Sequence, residues 1–186
     1  MLCGESTSRS IAAPIAALRI DPLLPKLVAL SVSFALCQGC LFSFTVTWLV
    51  ETRGMGLVQA GSVFAVMLVA GVVARILLGW IADRTGQATR NLVMQAFVAA
   101  ASVAALALLP VGAPAAALMG LCGLAGFVGA SWNGISLAEV ARVSPPDRVG
   151  DVTSGSTLFV FLGYVAGPSA FSLLVTLSGG WVLPML

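Results

Sequence analysis

Residues Leu27 to Val50 read LVALSVSFALCQGCLFSFTVTWLV, a run without one charged side chain, bounded by Pro25-Lys26 before it and by Glu51 and Arg53 after it. At roughly 1.5 Å of rise per helical residue, such a run spans the roughly 30 Å of hydrocarbon in a bilayer. Working outward from it, the chain repeats the pattern. Residues 57–82 are uncharged except for Arg75, residues 91–109 end at Pro110, and residues 115–138 and 152–178 follow. Trp181 to Leu186 resembles the opening of a sixth span. The expected fold is an all-α, polytopic membrane helix bundle with five full transmembrane helices and a truncated sixth.

Composition supports this reading. Apolar residues make up 59% of the chain and charged residues 9%, with a mean hydropathy of +1.06, whereas a soluble domain carries about 25% charged residues. The net charge of +2 comes from nine basic and seven acidic side chains scattered along the chain, so there is no basic stripe for nucleic acid. The first ten residues lack the basic, apolar and small-residue regions of a signal peptide, and insertion is expected to start with the first span. Cys37 and Cys40 lie one helical turn apart, but no histidine is present to help complete a metal site, so these thiols and Cys122 are read as small packing groups. No metal or cofactor is implied.

Within the spans, Gly120, Gly123, Gly126 and Gly129 recur every third residue, which predicts a groove for a neighbouring helix. Gly163, Gly167 and Pro168 mark an expected kink, because proline removes a backbone donor. Arg9, Arg19 and Lys26 precede the first span, Arg84 and Arg90 follow the second, and Arg142 and Arg148 follow the fourth. All fall on one side, with Arg53 opposite, so the N-terminus is expected in the cytoplasm. Residues 1–24 are too short and too mixed for a core and read as a flexible cytoplasmic lead-in to a bundle over 25–186.

No nucleophile, histidine and acid set, no phosphate-binding glycine loop and no HExxH motif occurs, so an enzyme is not expected. What remains are polar groups at membrane depth, which are functional candidates because placing them there is costly. Arg75 is one, at about 2.5–3.5 kcal/mol for a central arginine. It shares a helix face with Gly71, Gly79 and Asp83 through a spacing of four and lies about 12 Å deeper than Asp83. Either it pairs with an acid in a structural role, the preferred reading, or it helps attract an anionic substrate. No acidic residue lies deep in any span to carry a proton.

Gly79-Trp-Ile-Ala-Asp83-Arg84-Thr-Gly86-Gln-Ala-Thr-Arg90 lies between the second and third spans. It resembles the signature loop G-x-x-x-D-R-x-G-R-R of the major facilitator superfamily, with Gln87 and Ala88 where that family has basic residues. The stretch from Trp132 to Gly150, and Gly163-x-x-x-Gly167-Pro168 followed by Gly179-Gly180-Trp181, are similar to later regions of the same family. The resemblance covers residues 22–186 and implies helices seven to eleven plus the start of twelve, the C-terminal half of a secondary transporter in an inner membrane. It further implies a cytoplasmic gate on Gly79, Asp83, Arg84, Gly86, Arg90, Glu139, Arg142 and Arg148, in which an Asp83–Arg148 pair is one testable contact. The implied solute path is lined by Gln38, Arg75, Trp132 and Asn133, for a small-molecule solute carried by alternating access. Expected partners are membrane lipid and either a missing N-terminal half or a second copy. The competing readings are a truncated fragment that transports nothing, a channel, or an intramembrane enzyme.

Overall fold

The computed structural model describes residues 16–186, all of whose regular elements are helices. These are α1 (Leu24–Arg53), α2 (Leu57–Thr85), α3 (Ala88–Leu108), α4 (Ala115–Gly129), α5 (Trp132–Val143), α6 (Val149–Ser178) and the short α7 (Val182–Met185). Each long apolar run becomes a helix because a backbone in hydrocarbon must satisfy its own N–H and C=O groups. Five spans are long and apolar enough to cross a membrane, α4 and α5 together forming the fourth. Successive spans run in opposite directions, so Lys26, Arg84, Arg142 and Arg148 gather at one end of the bundle, here called the basic end.

The helices run a few residues past the uncharged runs, to Leu24 and Arg53 in α1 and from Val149 in α6. Gly54, Gly86 and Gly179 end three of them in the left-handed region, with φ of 62°, 63° and 65°. Glycine reaches that conformation without the steric cost of a side chain, which is why Gly86 can turn the chain sharply from α2 into α3. At the opposite end Arg53 donates to the carbonyl oxygens of Pro110 at 2.7 Å and Leu106 at 3.2 Å. Both carbonyls also accept a backbone N–H, from Ala113 and Leu109 respectively, so Arg53 adds a second donor to each and ties the end of α1 to the turn after α3.

Lipid is as apolar as leucine, so helices in a bilayer associate through close backbone approach and hydrogen bonds. The pairs α1 with α6 and α2 with α4 pack most extensively. On α6, a methyl group built on Gly167 would lie 2.6 Å from the Leu36 carbonyl oxygen, and one on Gly163 would lie 3.0 Å from a Val32 methyl group. In return Gly39 of α1 receives Tyr164 and the Pro168 ring, and α6 continues as one helix through that proline. Gly126 of α4 lies directly against the Met67 backbone of α2.

The glycines of α4 do not form one groove. A step of three residues falls about 60° short of a full turn, so four glycines separated by three such steps fan around the helix. Gly126 meets α2 closely, Gly123 only touches Val66, Gly129 faces Leu41 of α1, and Gly120 has open space. The fourth span is also not the continuous helix expected over 115–138: it breaks at Ala130-Ser131 and resumes to Val143.

Buried apolar side chains form three clusters along the bundle. Trp48, Leu49, Leu106 and Cys122 sit toward the Arg53 end; Phe34, Leu92, Trp132 and Ile135 form a second cluster; Leu24, Leu27, Val140 and Val152 lie at the basic end. Ala17 and Leu18 are buried in the last of these, so this part of the expected lead-in packs on the bundle. Residues 1–15, including Arg9 and Cys3, lie outside the described residues. Leu57, Val58, Ile76, Phe97 and Leu177 are each more than 70% exposed, an apolar outer surface suited to lipid.

Candidate functional site

Gln38 projects from α1 and Trp132 opens α5, and both are almost fully buried. The indole N–H of Trp132 donates to the Gln38 side-chain oxygen at 3.1 Å. Phe34, one turn from Gln38, stacks on the Trp132 ring with centroids 5.5 Å apart and planes 11° from parallel. One turn further on α5, the Ser136 and Ser31 hydroxyls are hydrogen-bonded to each other. These contacts fix α5 against α1 and leave a cavity of about 300 Å³ toward α6, lined among others by Gln38, Trp132, Asn133, Ser136, Phe161 and Tyr164. Its walls combine aromatic surface with amide and hydroxyl groups and carry no charge. Such walls suit a small organic solute held by a few placed hydrogen bonds.

Sequence reasoning brought out Gln38, Trp132 and Asn133 but missed Ser31, Phe34, Ser136, Phe161 and Tyr164. A signal existed for part of this set: Ser31, Gln38 and Thr45 are seven residues apart, which places them on one face of α1. All three are buried.

Arg75 does not line this cavity. Its Nε donates to the Ala130 carbonyl oxygen at 2.8 Å, an acceptor that an unbroken helix would offer to the N–H of Gly134. One turn away, Gly71 lets α2 approach this point so closely that a methyl group there would sit 2.9 Å from the Ala130 side chain. The discontinuity between α4 and α5 is thus held open from α2. Ser131 steadies it from the other side by donating to Gln95 at 2.9 Å. The preferred expectation of an acidic partner for Arg75 is not met: among the described residues no carboxylate lies within ion-pair distance of it.

At the basic end a second cavity, of about 570 Å³, runs between α2 and α5. It brings together the predicted gate residues Gly79, Asp83, Gly86, Glu139 and Arg142, and it extends up to Arg75 and Asn133. Glu139 is 4% exposed and accepts from Arg142 at 2.6 and 2.8 Å and from the Thr89 hydroxyl at 2.9 Å. The carboxylate therefore ties the end of α5 to the start of α3, a link that sequence reasoning did not include. Arg84, Arg90 and Arg148 are placed elsewhere. The Arg84 guanidinium lies 5.0 Å from the Trp80 ring centre, Arg90 donates to the Gln87 side chain at 3.1 Å, and Arg148 is nearest to Asp147 at 3.9 Å. An Asp83–Arg148 pair is not formed.

A third cavity, of about 240 Å³, lies toward the Arg53 end and is lined by Cys37, Cys40, Phe44, Met67, Cys122 and other mostly apolar groups. Among the described residues no group of three histidine, cysteine or acidic side chains could hold a metal ion. Its lining offers few polar groups with which to orient a solute, and it is not the candidate site.

A family model described as Major Facilitator Superfamily matches residues 4–168. The match covers most of the chain and agrees with the five membrane-length helices. The chain belongs to the major facilitator superfamily and is an integral membrane protein of a transporter family. No curated protein and no solved structure matches it.

Proposed function

We propose that this chain forms the C-terminal half of a secondary transporter, helices seven to eleven and the start of twelve, moving a small organic solute by alternating access. The observation that carries the reading is the convergence of Gln38, Trp132 and Asn133, three polar or amphipathic residues at membrane depth, on one cavity beside a broken helix. Irregular backbone at membrane depth is tolerated where it is buried in protein or lines a cavity, and midplane sites of transporters are built at discontinuous helices.

The second cavity supports a gate at the basic end, with Glu139, Arg142, Thr89 and Asp83 as its working groups. By the distribution of basic residues this end faces the cytoplasm of an inner membrane. A complementary half, either in the same polypeptide or in a second copy of the chain, closes the other wall of the path. No carboxylate lies deep in the spans described here, so either that half carries the group that couples transport to an ion gradient or transport is facilitated diffusion.

The test uses membrane vesicles of the source cells carrying either the native chain or the Gln38→Leu, Trp132→Leu variant. After incubation with a small-metabolite extract, the vesicle contents are compared by untargeted mass spectrometry. A solute accumulated or lost only with the native chain is the expected result. Identical profiles, with both proteins present in the membrane, would overturn the proposal.

A further inference from the structure

We infer that the transported solute is an organic anion and that Arg75 binds its carboxylate in the cavity between α2 and α5. This deepens the transport reading and rests on it.

The guanidinium of Arg75 is positioned: its Nε is committed to the Ala130 carbonyl oxygen. That contact leaves the two terminal nitrogens to present the planar fork that recognises a carboxylate with two parallel hydrogen bonds. These nitrogens have no protein acceptor among the described residues. The acids that line the same cavity do not serve as partners. Glu139 is held by Arg142 and Thr89, and Asp83 lies two helical turns away, about 12 Å along α2. An arginine at membrane depth faces protein or a watery cavity and pairs with carbonyl oxygens or with an opposite charge; Arg75 holds the Ala130 carbonyl oxygen and presents the exposed remainder of its guanidinium to this cavity.

Depth along the helix favours a solute over a lipid headgroup as the ligand: Arg75 lies about 12 Å along α2 from Asp83, on the side away from the basic end. Asn133 lines both this cavity and the neighbouring aromatic one. The two cavities thus meet at Asn133, and the aromatic one, with Trp132, Phe161 and Tyr164, would receive the organic part of a solute whose carboxylate is on Arg75.

The experiment measures thermal unfolding of the full protein, extracted from source membranes into nanodiscs. The probes are acetate, benzoate and succinate, each beside its neutral amide. At saturation at least one carboxylate should raise the melting midpoint by about 5–10 °C, its amide should not, and Arg75→Met should abolish the increment. Arg75→Met also removes a donor from Ala130, so its own midpoint will fall; the increment on adding ligand is what is read. Should that variant fail to fold, Arg75→Lys and Asn133→Leu, each with a reduced increment, provide the same comparison.

Carboxylates and amides acting equally, no probe acting at all, or an increment that persists in Arg75→Met would each overturn the inference. The transport reading is judged separately. A neutral solute whose vesicle uptake depends on Gln38 but not on Arg75 would leave transport standing and remove the anion.

Discussion

Trp132 and Gln38 are 94 residues apart in sequence and joined by one buried hydrogen bond of 3.1 Å. The bond fixes α5 to α1 at the wall of the candidate solute cavity. Gln38→Leu leaves the indole N–H buried without an acceptor, a loss of about 1 kcal/mol, between the mean for interhelical bonds in bilayers and the cost of a buried unsatisfied group. The melting midpoint in detergent should fall by about 2–4 °C. Combining Gln38→Leu with Trp132→Phe should cost less than the sum of the two, because neither partner is then left unpaired. Strict additivity would show that the bond contributes nothing.

Glycine substitutions separate packing from open space. Gly126→Ala places a methyl group into the Met67 backbone, and Gly167→Ala places one 2.6 Å from the Leu36 carbonyl oxygen. Each should destabilise by about 1–3 kcal/mol. Gly120→Ala meets nothing within 4 Å and should be neutral or stabilising by up to about 1 kcal/mol. Thermal unfolding of the three variants checks the order.

Glu139 is buried while Arg142 is 67% exposed. Arg142→Ala strands a buried carboxylate with only Thr89 for support and should cost about 1.5–3 kcal/mol. Glu139→Gln still accepts from Thr89 and should cost less. Adding Glu139→Gln to Arg142→Ala should recover part of the loss, since the stranded charge is gone. A double variant less stable than Arg142→Ala alone would refute this account of the pair.

Exchange of charges between Asp83 and Arg148 offers a sharper check on the gate. Arg148 has Asp147 beside it and does not reach Asp83. In an uptake assay the Asp83→Arg, Arg148→Asp double variant should therefore recover no activity lost in either single variant. Restored uptake would mean that the two residues meet in another state of the transport cycle.

Legibility in the sequence followed the physics of each feature. The five spans could be read because the absence of charge over some 20 residues has a single cheap explanation, and the turn at Gly86 could be read because its φ of 63° favours glycine. The break at Ala130-Ser131 could not. Hydropathy does not register which donor a carbonyl uses, and a run of glycine, alanine and serine is as apolar when broken as when continuous. Gln38, Trp132 and Asn133 stood out as polar or amphipathic groups at depth. Ser31 and Ser136 did not, because a helical serine ordinarily returns its hydroxyl to its own backbone, as Ser31 also does to Leu27 at 2.7 Å. The charge pairs at the basic end were the least legible: whether Glu139 meets Arg142, Thr89 or a more distant arginine depends on helix packing that charge spacing does not encode.

The measurement that bears most directly on alternating access is two-sided labelling of Asn133. A cysteine replaces Asn133 in a background with Cys3, Cys37, Cys40 and Cys122 changed to serine, and a membrane-impermeant maleimide is added to right-side-out or inside-out vesicles of the source cells. The account predicts labelling from both sides, with reactivity from each shifting in the opposite sense when the Glu139–Arg142 contact is broken by Arg142→Ala. Labelling from one side only, unchanged by that substitution, would contradict it.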